Sequence, residues 1–204
     1  MRAHVKLFLA SSNPGKLKEY RVLAQNVAFS TPLELALLPE FESLPPFAEN
    51  APTFAENAAG KALHYSRFQE GMVFADDSGL VVPSLGGAPG VHSARYAGED
   101  AANSQRIEKL LREMRTKTGA ERAAYFVCAI ALARQGRALA VVTDRVDGEI
   151  LEVPRGAGGF GYDPVFYFPA LKKTFAELSE KDKNRYSHRG KAFRKLLAVL
   201  PSML

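Results

Sequence analysis

Four short stretches of this chain hold residue types that can do chemistry. Asp76-Asp77-Ser78-Gly79 closes an apolar run that begins at Met72. A carboxylate at a strand end can hold Mg²⁺, which takes oxygen ligands and often uses only one or two carboxylates together with phosphates. Adjacent strand residues point to opposite faces, so both aspartates could face one ion only if the chain turned there. Gly79 allows such a turn. Glu49, Glu56 or Glu99 could supply a second carboxylate. Taken alone, the stretch reads as a solvated Asp-Asp turn.

Ser11-Ser12-Asn13-Pro14-Gly15-Lys16 lies between an apolar run and a helical pattern. Backbone N–H groups at a helix N-terminus bind phosphate, Gly15 permits close approach and Lys16 adds a charge. The Walker spacing is absent, and an ordinary Asn-Pro-Gly turn explains the stretch as well. In Gly156-Ala157-Gly158-Gly159-Phe160-Gly161-Tyr162-Asp163 the glycines free the backbone to lie against a ligand. Phe160 and Tyr162 offer faces on which a base could stack, and Asp163 can accept a proton from a ring nitrogen. The alternative is a loop whose aromatics complete the core. Ser187-His188-Arg189-Gly190 could donate hydrogen bonds to a carbonyl oxygen such as purine O6, or could be a capped helix start with basic neighbours.

The elements that must position these residues follow from periodicity. Val5–Ala10 reads as a buried first strand, followed by a helix over Gly15–Gln25 with Leu17, Tyr20, Leu23 and Ala24 on one face. Residues 39–52 hold four prolines and read as irregular. Thr53-Phe54-Ala55-Glu56 has capping-box spacing, so a helix is predicted from Phe54, with Ala58, Ala62 and Tyr65 on its buried face. Met72–Ala75 is predicted as a short strand ending at Asp76, with extended structure resuming over Leu80–Val82. Asn103–Lys117 reads as an amphipathic helix. Ala123–Ala133 and Ala138–Val146 read as paired strands turning at Gln135-Gly136, with further extended pieces at Glu149–Val153 and Val165–Phe168. Phe193, Leu196, Leu197 and Leu200 mark a last helix, with Ser187 as its N-cap. A mixed-sheet α/β fold fits this order best, because long adjacent strands near the middle break a purely alternating βα pattern.

The 204 residues suit one domain, and 47% hydrophobic with 24% charged residues is ordinary for a globular protein. The apolar run through Tyr125–Ala133 falls far short of the roughly 20 residues of a membrane helix. Val5–Ala10 passes at once into polar residues, unlike a signal peptide. Cys128, the single cysteine, reads as a reduced buried thiol. A soluble, cytoplasmic protein is expected. The net charge of +5 suits either a nucleic acid or a pocket for a polyanionic small molecule.

Each stretch is weak alone, but they occur together. The chain carries Ser-x-Asn-x-x-Lys at 11–16, Phe-x-Glu-Asn-Ala-x-x-Lys-Ala at 54–62 and Ala-Asp-Asp-Ser-Gly-Leu at 75–80. Leu-Gly-Gly-Ala-Pro-Gly-Val-His-Ser-Ala-Arg-Tyr-Ala-Gly follows at 85–98, then Gly-Gly-Phe-Gly-Tyr-Asp-Pro-Val-Phe at 158–166 and Ser-His-Arg-Gly at 187–190. In this order, across nearly the whole chain, they resemble the inosine triphosphate pyrophosphatase family, and its bacterial branch most closely. Departures concentrate in residues 39–52.

The resemblance implies an elongated mixed β-sheet flanked by helices, forming one domain of two lobes with a cleft, usually as a homodimer. It implies Mg²⁺-dependent hydrolysis of ITP, dITP and XTP to monophosphate and pyrophosphate, which keeps these nucleotides out of DNA and RNA. Carried onto this chain, Ser11, Ser12, Asn13, Pro14, Gly15 and Lys16 would line the triphosphate and Lys61 would point toward phosphate. Asp77 would be proton acceptor and metal ligand, with Glu49 as second ligand, and Ser78 would touch the nucleotide. Phe160, Gly161, Tyr162, Asp163, Lys183, His188 and Arg189 would build the base pocket. The resemblance implies neither a nucleic-acid nor a membrane partner. The related septum-inhibitor-like pyrophosphatases, which prefer modified pyrimidine or 7-methylated nucleotides, fit less well, because the Gly-Gly-Phe-Gly-Tyr-Asp and Ser-His-Arg motifs belong to the purine branch. A basic RNA- or DNA-binding module would need aromatics interleaved with Arg and Lys along one strand face. Here they cluster with glycines and an aspartate.

Overall fold

The computed structural model describes residues 4–12, 14–25 and 32–204. Seven strands, β1 (Val5–Leu9), β2 (Leu33–Leu37), β3 (Met72–Val81), β4 (Ala123–Arg134), β5 (Arg137–Ile150), β6 (Phe166–Phe168) and β7 (Lys173–Thr174), hydrogen-bond in the order β2-β1-β3-β4-β5-β6-β7. β1 runs parallel to β2 and β3, whereas β6 runs antiparallel to β5 and β7. The sheet is therefore mixed, as the element order predicts. The helices are α1 (Pro14–Gln25), α2 (Phe54–Tyr65), α3 (Asn103–Glu113), α4 (Glu180–Tyr186) and α5 (His188–Val199).

The chain forms two compact units. The first comprises Met1–Asp77, Cys128–Asp144 and Arg189–Leu204, the second Ser78–Val127 and Arg145–His188. In the first unit, period-2 alternation sorts the sheet residues into two cores. Leu7, Leu9, Phe74, Cys128, Ile130 and Leu132 pack with Leu17, Tyr20 and Leu23 of α1 and with Phe193, Leu196 and Leu197 of α5. The rings of Tyr20, Phe74 and Phe193 meet there, with centroids 4.9–6.1 Å apart. Val73, Ala75, Ala129, Ala131 and Ala133 pack with Ala58, Ala62 and Tyr65 of α2. Each fully buried Leu or Phe contributes roughly 1.5–3 kcal/mol relative to exposure, so these two faces hold the helices in place. The second unit has its own core, built from Leu80, Val82, Ile107, Leu110, Phe126, Phe166 and Phe175.

Several local expectations are met. Thr53 caps α2, its Oγ1 accepting from the Glu56 N–H at 3.2 Å. Gln135 and Gly136 both have positive φ (49° and 76°), the signature of a tight two-residue hairpin turn between β4 and β5. Cys128 is fully buried, and desolvation pushes its thiol pKa up, keeping it protonated. Others change. The chain does not turn at Gly79: β3 runs unbroken through Asp-Asp-Ser-Gly to Val81. α3 stops at Glu113, short of the predicted Lys117, and beyond its end the Arg122 guanidinium donates to the carbonyls of Met114 and Lys117, which no further helical turn follows to satisfy. β5 absorbs the extended piece predicted from Glu149 as far as Ile150. α4, which periodicity did not predict, is a seven-residue helix capped by Ser179, whose Oγ accepts from the Asp182 N–H. Ser187 follows it with an extended backbone, immediately before α5.

Candidate active site

Because β3 is continuous, Asp76 and Asp77 obey its alternation. Asp76 falls on the face of Phe74, which looks toward α1 and α5. Asp77 falls on the face of Val73 and Ala75, which looks toward α2. This answers the question that the Asp-Asp spacing leaves open.

Asp76 is 2% exposed and held by two cations. Lys16 Nζ of α1 donates to Oδ1 at 3.0 Å, and Arg189 Nε of α5 donates to Oδ2 at 3.3 Å. Arg189 is as deeply buried, and its Nη1 donates to Glu19 on α1 at 2.8 Å. Burial alone would raise the Asp76 pKa. The charges of Lys16 and Arg189, and the Lys16 hydrogen bond, outweigh it and hold the carboxyl below the usual carboxylate range. Asp76 is thus an ionised anchor between two helices.

Asp77 is half-buried and meets a neutral donor: Asn57 Nδ2 of α2 lies 3.0 Å from Oδ2. Asn57 is itself 1% exposed, and its Oδ1 accepts from the Ala51 N–H at 2.9 Å. One turn further along α2, Lys61 Nζ donates to Glu49 Oε1 at 2.6 Å. Burial works against the Lys61 ammonium, but Glu49, with smaller contributions from Asp76 and Asp77, outweighs it and raises the pKa. Asn57 and Lys61 therefore bring Glu49 to the α2 face that meets Asp77. Glu56 is spent on the helix cap, and Glu99, in the second unit, lies 3.9 Å from Arg95. Among the described residues, no group of three or more His, Cys, Asp or Glu stands ready for a metal. The donors that fit Mg²⁺ here are the carboxylates of Asp77 and Glu49, with phosphate oxygens completing the set.

Ser11 is buried and Ser12 exposed at the end of β1. Both line a cavity of about 540 Å³ with Leu37, Leu38, Phe41 and Glu42. Gly15 and Lys16 lie in the first turn of α1, the position that presents backbone N–H groups to an anion. Asn13 lies outside the described residues, and of Pro14 only the helical backbone is described.

In the second unit, Asp163 is 3% exposed. Its Oδ2 accepts from the Phe160 N–H at 2.8 Å and from Lys183 Nζ of α4. The same ammonium sits 4.6 Å from the centre of the Phe160 ring. Gly159 has φ +72°, and a Cβ there would lie 2.1 Å from Asp163 Oδ2. Only glycine lets the loop close on that carboxylate. Gly161 also has positive φ. The two aromatics differ: Phe160 is 53% exposed, whereas Tyr162 is buried in the second core and donates its hydroxyl to the Ser93 carbonyl at 2.9 Å. Of the two predicted stacking rings, Phe160 is the exposed one and carries the Lys183 ammonium beside it. The His188 ring is buried and stacks on Phe126, with centroids 4.8 Å apart. Ser78 begins the second unit on β3 and is half-buried. The structure thus brings Phe160, Asp163 and Lys183 together, and separately Lys16, Asp76 and Arg189. Arg189, expected with the base pocket, has its guanidinium on Asp76 and Glu19 in the first unit.

The model of the Ham1 family matches residues 7–199. The chain belongs to the Ham1 family. It is 50% identical over 191 residues to a dITP/XTP pyrophosphatase of Geobacillus kaustophilus, covering 94% of this chain and 92% of that protein. It is 43% identical over 198 residues to one of Desulfotalea psychrophila, covering 97% and 86%. Among solved structures, a HAM1 protein from Coxiella burnetii superposes with a TM-score of 0.86 at 39% identity, covering 97% of this chain and 99% of that one. The Ham1 protein of Staphylococcus aureus gives 0.85 at 37%, covering 98% and 100%.

Two residues of this Ham1 chain gained a role only from the fold. Asn57 stands inside the Phe-x-Glu-Asn-Ala motif, four residues before Lys61, so helical spacing already put the two on one face. Glu19 carries no comparable signal, because its partner Arg189 lies 170 residues away.

Proposed function

We propose that this chain hydrolyses the non-standard purine nucleoside triphosphates ITP, dITP and XTP to monophosphate and pyrophosphate, clearing them before they enter DNA or RNA. The names of its relatives support the substrate class. The observation that carries the reaction is the division of labour on β3: Lys16 and Arg189 clasp Asp76 on one face, while on the other face Asp77 receives the Asn57 amide, with the Lys61–Glu49 pair one turn further along α2.

In this reading Asp77 and Glu49 hold Mg²⁺, which supplies charge neutralisation of the phosphates. Asp77 orients a water and accepts its proton as the water oxygen bonds to the α-phosphorus. The bond from that phosphorus to the bridging oxygen breaks, and pyrophosphate leaves. Lys16 and Lys61 offset the charge on the leaving group, and Ser11, Ser12 and the first turn of α1 receive phosphate oxygens. Ser78 touches the nucleotide. Phe160 stacks on the base, and Gly161, Tyr162, Asp163, Lys183, His188 and Arg189 shape its pocket. Hypoxanthine and xanthine present a 6-oxo acceptor and an N1–H donor, whereas adenine presents an amino group and a bare N1. A pocket built on those hydrogen bonds leaves buried groups unpaired when adenine enters, a discrimination of about 10⁴ or more. The family resemblance supports a cytoplasmic homodimer. No helix among the described residues is long and apolar enough to cross a membrane.

The test is hydrolysis of ITP, XTP, GTP and ATP with Mg²⁺, resolving pyrophosphate from orthophosphate. Pyrophosphate from ITP and XTP with ATP nearly untouched is expected. Orthophosphate release, or equal rates on all four, overturns the proposal.

A further inference from the structure

The Asn57 side chain is placed so that its orientation is not a choice. A backbone N–H only donates and an ionised carboxylate only accepts. With Ala51 N–H on one side at 2.9 Å and Asp77 Oδ2 on the other at 3.0 Å, the amide satisfies both only with its oxygen at Ala51 and its nitrogen at Asp77. The Nδ2 group also reaches the Ala51 carbonyl at 3.4 Å. Asp would lack the donor and Leu would lack both functions, so a side chain of this size does the task only as asparagine. Ala51 stands two residues after Glu49, and Lys61, one helical turn from Asn57, holds Glu49 itself. The α2 face therefore grips residues 49–51 at two points, and one of these grips extends to Asp77. The Pro-rich stretch that carries Glu49 has no helix or strand of its own between Leu44 and Thr53. Upstream of Glu49 it is tied to α2 through the Tyr65 hydroxyl at the Phe47 N–H and His64 at the Pro45 carbonyl, so Asn57 and Lys61 provide the grips next to Glu49 itself.

We propose that Asn57 is a positioning residue that locks the Glu49 segment and the Asp77 carboxylate into one arrangement, so that the two act as a single divalent-cation site. This rests on the reading of Asp77 and Glu49 as metal-holding carboxylates. Partners that orient ligating carboxylates typically change metal affinity by about 10–100-fold when removed.

The experiment is titration of the protein with Mn²⁺ alone, followed by electron paramagnetic resonance of the free ion, on wild type, Asp77→Ala, Asn57→Ala, Asn57→Ser and Ser66→Ala. Circular dichroism verifies the fold of each. Ser66 is the control for a lost buried hydrogen bond in the same unit: its Oγ bonds the Leu63 carbonyl and the Gly136 N–H, away from both carboxylates. Asn57→Ser keeps a buried polar group and carries the test should the alanine variant not fold. Mn²⁺ affinity reduced about 10–100-fold in the Asn57 variants, with Ser66→Ala unchanged, is the expected result. Folded Asn57 variants that bind Mn²⁺ as wild type does overturn the role of Asn57 alone. Wild type without Asp77-dependent Mn²⁺ binding overturns the metal reading itself.

Discussion

Asp76 and Asp77 share a peptide bond yet meet different partners on opposite faces of β3. The first is clasped by the side chains of Lys16 and Arg189, and the second receives the amide of Asn57. An unbroken strand forces this, since neighbouring side chains leave on opposite faces. One face meets α1 and α5, which supply Lys16 and Arg189, and the other meets α2, which supplies Asn57 and, one turn on, Lys61. The same carboxylate chemistry thus becomes an anchor at one position and, in the proposed reaction, the proton acceptor at the next.

Isosteric amides should separate the two roles. Asp77→Asn is expected to lower kcat for ITP by about 10²–10⁴, the worth of a positioned acid–base group, with the melting temperature unchanged. Asp76→Asn leaves Lys16 and Arg189 facing a neutral group and should cost about 3 kcal/mol of stability, read by denaturant unfolding. The Asp76 pKa is depressed in the folded state, so its stabilisation is present above the unfolded value near 4 and lost as pH falls through the folded one. The stability gap between wild type and Asp76→Asn should hold from neutral pH down to about 4 and then close. A gap that instead grows on acidification would contradict the clasp.

Arg189 tests whether a buried guanidinium also reads the base. Arg189→Ala strips Asp76 and Glu19 of a shared partner, and a loss of about 3–5 kcal/mol is expected. If Arg189 also serves purine O6, KM for ITP rises more than kcat falls in the variant that remains folded. An unchanged KM would confine Arg189 to anchoring Asp76.

Gly159→Ala forces a side chain into positive-φ backbone and against Asp163. A destabilisation of about 1–3 kcal/mol is expected, with KM for ITP raised because the Asp163–Phe160 closure opens. Wild-type KM with wild-type stability would show that the loop closes some other way.

Much of this was legible in the residues. The Thr53 cap, the α2 face carrying Ala58 and Ala62, the Gln135-Gly136 turn and the last helix all follow from local periodicity and turn chemistry, which act over a few residues. The glycine-rich loop and Asp163 were visible as a candidate site, and the ordered motifs implied the family. What sequence spacing left open was everything that depends on which distant residue arrives. Whether the chain turned at Gly79 decided where both aspartates point, and strand pairing of β3 within the sheet settled that. Tyr162 and Phe160 look alike in sequence, yet only packing buries one and exposes the other. Lys16, Glu19, Asp76 and Arg189 meet across as many as 170 residues of chain. Such an ion-pair cluster has no local signature, because it forms only when two helices pack on the same sheet face.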